Sequence, residues 1–212
     1  YITFNNELWR IIGVFTVENE LGEKEQRVKI IRNNFLTPSL SWDNSSVQNA
    51  GIYSYGQNRW ATSRLMKVLN PGYEEEAIGG SLYWNSMRGV CYAGSTTDAK
   101  KNCNFTNQGL TDEAKEQIGD TKWYLGGSYG TATISAETFY IEERGTNVYN
   151  GNNNYREINW IGKIGLMYVS DYGYTFAANV DYRCYNSLGS CYVVEGGGGG
   201  NPNRSWMTKN DE

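Results

Sequence analysis

Residues 160–175, WIGKIGLMYVSDYGYT, constrain the fold more than any other stretch of the chain. Ile164 to Val169 make a short run of β-formers, which Ser170 and Asp171 cut off with residue types that cap helices. The pattern predicts a buried strand that delivers the chain into a turn or short helix. In that reading Asp171 is the cap, and Tyr172 and Tyr174 are framework aromatics.

At 212 residues, the length allows one substantial core and does not force a second. Aromatic residues make up 14%, with 17 Tyr and 7 Trp against only 3 Pro, a balance that suits a β-rich, loop-rich domain. Residues 8–17 and 27–32 flank the charged stretch 18–24 and predict a hairpin. Residues 41–43, 82–84 and 122–125 predict further short strands. A helix is expected over 62–69, with Leu65, Met66 and Leu69 on one face and Asn70-Pro71-Gly72 as its stop. Thr111 is expected to cap a second helix over 112–119, and Ser135 a third over 136–143, anchored by Phe139 and Tyr140. Residues 147–154 read as polar loop, the chain from 179 onward reads as loop again, and the glycines at 196–200 form a flexible loop. The expected class is α+β: a mixed, mostly antiparallel sheet with about three short helices and long polar loops, in a single extracellular domain over 1–212.

The chain has no histidine, which excludes Ser-His-Asp and Cys-His nucleophile systems and His-containing zinc sites. Catalysis would fall to carboxylates, Lys, Tyr or Cys, and the expectation is no enzyme. A net charge of −4 with no basic stripe gives little support for nucleic acid or anionic membrane as partner. Cys91, Cys103, Cys184 and Cys191 allow three connectivities. The local pairs Cys91–Cys103 and Cys184–Cys191 are favoured because each closes a short polar loop, and polar flanks argue against four reduced, buried thiols. Such staples persist outside the reducing cytosol, which points to export. No run is long and apolar enough for a membrane span or signal peptide, and the start at Tyr1 inside an expected strand suggests a trimmed chain with its signal or anchor upstream.

Asp171 with Asp181, Asn201-Pro202-Asn203 and Asn210-Asp211 are the candidate calcium positions; the acidic partner usual in such a tripeptide is missing, so no metal or cofactor is expected. Glu74-Glu75-Glu76 reads as a solvated acidic patch. Glu142 with Glu143, and Glu113 with Glu116, imitate a glycosidase pair but read as surface carboxylates. Asn44, Asn104 and Asn203 begin glycosylation sequons. The segments 45–58, 148–155 and 182–192 have the Tyr, Asn, Gly and Ser composition of recognition loops. They nominate Tyr53, Tyr55, Tyr149, Asn152, Asn153, Tyr155 and Tyr185 as ligand-binding residues.

Several segments, in order, resemble a family of exported surface or pilin-like proteins of gut-associated Firmicutes and relatives. They are LWRIIGVF at 8–15, LMKVLNPGY at 65–73, SLYWN at 81–85, NFT with GLT at 104–111, and KIGLMYVSDYGY at 163–174, together with the paired cysteines. The similarity covers nearly the whole chain. It implies a surface-displayed or filament-borne domain, often behind a type IV prepilin-like helix, with distant likeness to C-type-lectin-like or formylglycine-generating-enzyme-like folds. It supplies no catalytic residues. Relatives continue past the position of Trp206 with a further Trp-containing strand and a Gly-Val-Arg-Pro end. The expectation is that those strands are lost here or come from a neighbouring subunit. The combined expectation is an adhesion or recognition module that binds a glycan or host protein, with a purely structural, self-assembling filament subunit and a carboxylate-dependent glycan-active enzyme as alternatives.

Overall fold

The computed structural model describes residues 1–43, 59–94, 99–126, 133–134, 136–145, 158–168, 170–171, 180–184 and 191–195. Contacts divide the chain into two units, Tyr1–Trp123 with Trp160–Gly165, and Tyr124–Asn159 with Leu166–Glu212.

The first unit opens with strands β1 (Ile2–Phe4), β2 (Glu7–Glu18) and β3 (Lys24–Arg32), an antiparallel sheet in the order β1-β2-β3. The β-branched and aromatic alternation that predicts this hairpin is therefore borne out. Its turn is tighter than the charge pattern suggests. Glu18 and Lys24 are already paired, and the Asn19 side-chain oxygen accepts from the Leu21 and Glu23 N–H groups at 2.9 Å each while Gly22 takes φ of 79°. A bulge between Ile11 and Gly13 interrupts the ladder.

A short 3-10 turn, Trp60–Thr62, leads into helix α1 (Arg64–Leu69). Ser63 caps it, its hydroxyl oxygen accepting from Met66 N–H at 3.1 Å, and the helix stops at Asn70 as expected. Met66, Val68 and Leu69 are buried with Leu82, Tyr83, Trp84, Phe105 and Leu110, and the Tyr83 and Phe105 rings meet edge to face at 5.9 Å. Strands β4 (Arg88–Tyr92) and β5 (Lys100–Asn104) form a second hairpin. Helix α2 (Asp112–Glu116) is capped by Thr111, as expected, and ends earlier than its sequence pattern suggests. Strand β6 (Thr121–Tyr124) pairs with β8 (Asn159–Gly162) where the chain leaves the first unit and returns to it.

In the second unit, β7 (Thr133–Ile134), β9 (Val180–Cys184) and β10 (Cys191–Glu195) form an antiparallel sheet in the order β10-β9-β7, and the expected third helix is present as α3 (Ala136–Arg144). Mixed antiparallel sheets with three short helices make the class α+β. Ser135 lies outside the described residues.

Four expectations are corrected. Residues 164–168 are not a buried strand: they are irregular, with Leu166 40% and Met167 39% exposed. The reason is that side chains take the backbone groups a ladder would use. The Asn70 amide accepts from Ile164 N–H at 2.9 Å and donates to Ile164 C=O at 3.1 Å, while Asp171 accepts from Tyr168 N–H. Residues 41–43 are likewise irregular, because Trp42 C=O accepts from Leu65 N–H and the Ser41 hydroxyl donates to Gly94 C=O. Residues 82–84 form turns, with Tyr83 N–H donating to Val68 C=O at 3.1 Å. Beyond residue 179, strands β9 and β10 replace the expected loop.

Candidate functional site

The β2–β3 hairpin has an inverted distribution of polarity. By register, Ile11 faces Ile30, Val14 faces Val28 and Thr16 faces Gln26, so these pairs share one side of the sheet. The opposite side carries Gly13 with Lys29, Phe15 with Arg27 and Val17 with Glu25. That charged side is used within the first unit. The Arg27 guanidinium donates to Asp120 C=O at 2.8 Å and to the Thr121 hydroxyl at 2.5 Å, and the Lys29 ammonium lies 5.3 Å from the centre of the Trp123 ring. The aliphatic side faces outward: Ile11, Val14 and Val28 are 46%, 62% and 55% exposed. Next to Ile11 on this side, Arg32 makes two hydrogen bonds to the Glu7 carboxylate at 2.7 and 2.9 Å, so the charges there are paired.

The second unit holds a buried polar cluster. The Glu143 carboxylate accepts from Ser170 N–H at 3.1 Å and from the Ser170 hydroxyl at 2.5 Å. Glu143, Ser170 and Asp171 are 4%, 0% and 1% exposed. The Asp171 carboxylate accepts from Tyr168 N–H at 2.8 Å, and the Tyr168 hydroxyl oxygen accepts from Tyr124 N–H at 2.7 Å. The Arg144 guanidinium lies 3.5, 4.8 and 5.7 Å from the ring centres of Tyr140, Tyr168 and Tyr124. Burial pushes the Glu143 carboxyl above the ordinary carboxylate range against the pull of its Ser170 hydrogen bonds, and it pushes the Tyr168 phenol up to about 12.

This arrangement revises two residue roles. Asp171 lies inside the helical turn, and its carboxylate reaches back three residues as the reciprocal arm of a capping box does, rather than sitting at the N-cap. Glu143 is not a surface carboxylate. Its signal in the sequence was the buried Phe139 four residues earlier, which puts Glu143 on the same inward helix face. Tyr140, expected in the core, is half-buried under Arg144.

Elsewhere, Glu76 is not merely solvated: Arg64 and Lys67 pair with it at 2.5 and 2.8 Å, while Glu74 accepts from Gly72 N–H. Glu113 and Glu116 are exposed, as expected. Cys91 and Cys103 form a disulfide across the β4–β5 hairpin, and the backbone register sets Cys184 opposite Cys191. Asn104 is exposed, with its side-chain oxygen accepting from Thr106. Tyr53, Tyr55, Tyr149, Asn152, Asn153, Tyr155 and Tyr185 lie outside the described residues, as do Asn44, the tripeptide at 201–203, residues 210–211 and the glycines at 196–200. Among the described residues no cluster of three or more acidic or cysteine side chains could hold a metal ion, and no helix is long and apolar enough to cross a membrane. Comparison with family models, curated proteins and solved structures found no match.

Proposed function

We propose that this chain is an exported, surface-displayed subunit that works by contact between copies rather than by catalysis. The observation that carries the reading is the outward aliphatic face of the β2–β3 hairpin, Ile11, Val14 and Val28, set against an inward face whose charges are already engaged. β-Branched aliphatic side chains offer nothing to sugar hydroxyls but pack well on a matching protein face.

A second copy fits this face on charge. The Glu7–Arg32 pair neutralises the charges beside Ile11, so an identical face meets no net repulsion there. Approach along the β3 edge is opposed: antiparallel pairing about Val28 would set Arg27 against Lys29 and Lys24 against Arg32 of the other copy. Three exposed aliphatic side chains fall well short of the roughly 800 Å² per partner of a stable complex, so the contact is weak. The disulfide fits a site of action outside the reducing cytosol.

Cross-linking of the protein in its displayed state tests this. A linked dimer is expected from the wild type and is lost in the double variant Val14→Lys/Val28→Lys. Absence of the dimer, with glycan-array binding that survives the double substitution, would move the function to the loops and refute the reading.

A further inference from the structure

We propose that the outward side of the β4–β5 hairpin binds an acidic polysaccharide, a sugar chain bearing carboxylates, independently of the aliphatic face of the β2–β3 hairpin. Neither strand, RGVCY or KKNCN, contains an acid, in a chain whose net charge is −4. Among the described residues, Lys24, Arg88, Lys100 and Lys101 are the basic side chains that meet no hydrogen-bond acceptor, carboxylate or aromatic ring. All but Lys24 belong to this hairpin. Elsewhere in the first unit the bases are engaged: Arg64 and Lys67 by Glu76, Lys122 by Glu18 and Lys163 by Asp120.

The strand register gathers these groups. Arg88 faces Asn104, Val90 faces Asn102 and Tyr92 faces Lys100, so these pairs share one side of the hairpin. The opposite side holds Cys91 and Cys103, at 0% and 2% exposure, which makes the first side the outward one. Arg88, Lys100, Asn102 and Asn104 are all exposed there. Arg88 and Lys100 stand at opposite ends of the ladder, roughly 13 Å apart along the strands, with Asn102 between them. The Asn102 side chain has no protein partner. The Asn104 side-chain oxygen accepts from the Thr106 N–H and hydroxyl, so its NH2 group is the end offered to a ligand. Lys101, half-buried on the side of Cys91, adds positive potential without a carboxylate to cancel it.

Spaced cations with amides between them suit a polymer that alternates carboxylates with hydroxyls. The cations pair with the carboxylates, and the amides donate to and accept from the hydroxyls. The Tyr92 ring is already covered by the Arg64 guanidinium at 5.2 Å, and Val90 is 39% exposed. The face therefore lacks the stacking platform that single-stranded nucleic acid uses and the apolar wedge that a membrane surface takes.

Equilibrium binding of the purified chain to end-immobilised polygalacturonate tests this. Binding is expected at low ionic strength, should weaken as salt screens it, and should be absent on uncharged dextran. Arg88→Gln and Lys100→Gln should each weaken it several-fold with unchanged melting temperature. Lys24→Gln removes the same charge from the β2–β3 turn and should leave binding as it is. No binding to polygalacturonate, an equal loss in Lys24→Gln, or equally tight binding to single-stranded oligothymidylate of matched charge would each overturn the proposal.

Discussion

Asn70 occupies the place that a neighbouring strand would take. Its side chain donates to Met66 C=O at 3.0 Å, closing the end of α1, and meets both backbone groups of Ile164, all at 3% exposure. Removing it strands several buried polar groups together. Asn70→Ala should therefore destabilise the first unit by about 1–3 kcal/mol in chemical denaturation, towards the upper end. Ser63→Ala should cost about 1 kcal/mol through the lost cap alone. Thr111 was legible as a cap because acidic residues and a helical pattern follow it; Ser63, with Arg64 behind it, carried no such cue. Glu76 shifts in the opposite direction to Glu143. Burial works against its charge, but Lys67 and Arg64 hold its carboxyl below the usual range. Its contribution is thus present above the unfolded carboxylate value and lost as pH falls through the folded one. Glu76→Gln should lower stability by less than about 1 kcal/mol at neutral pH, and the difference should vanish in thermal melts well below the carboxylate range.

At the scale of elements, legibility followed how far each segment depends on its own side-chain pattern. The β2–β3 hairpin repeats an alternating pattern over many residues and stands where expected, and so does α3, anchored by Phe139. The run at 164–168 has the composition of a strand but no ladder partner, since Asn70 and Asp171, distant or out of pattern in the sequence, take its backbone groups. The strands β4 and β5 were missed because their sequences, RGVCY and KKNCN, bury little besides their cysteines. That hairpin consequently leans on its covalent link. Cys91 and Cys103 are 12 residues apart, a loop whose closure is worth about 3 kcal/mol in the chain-entropy treatment. Cys91→Ser/Cys103→Ser should lose that amount in denaturant unfolding.

For the whole molecule, the sequence conveyed the α+β class and the covalent staple but not which surface would stand out. Ile11, Val14, Val28 and Ile30 read only as part of a hairpin, and the register is what shows that they share the outward side while Arg27 and Lys29 turn inward. The candidate ligand residues in the Tyr- and Asn-rich segments lie outside the described residues, so the reading of function rests on the sheet. The most direct test is sedimentation equilibrium of the purified chain from micromolar to near-millimolar concentration. Self-contact through this face predicts a weight-average mass that climbs above 23.9 kDa for the wild type and stays at the monomer value for Val14→Lys/Val28→Lys with its unfolding temperature unchanged. A wild-type mass that remains at 23.9 kDa throughout, or a climb that the double substitution leaves intact, would contradict it.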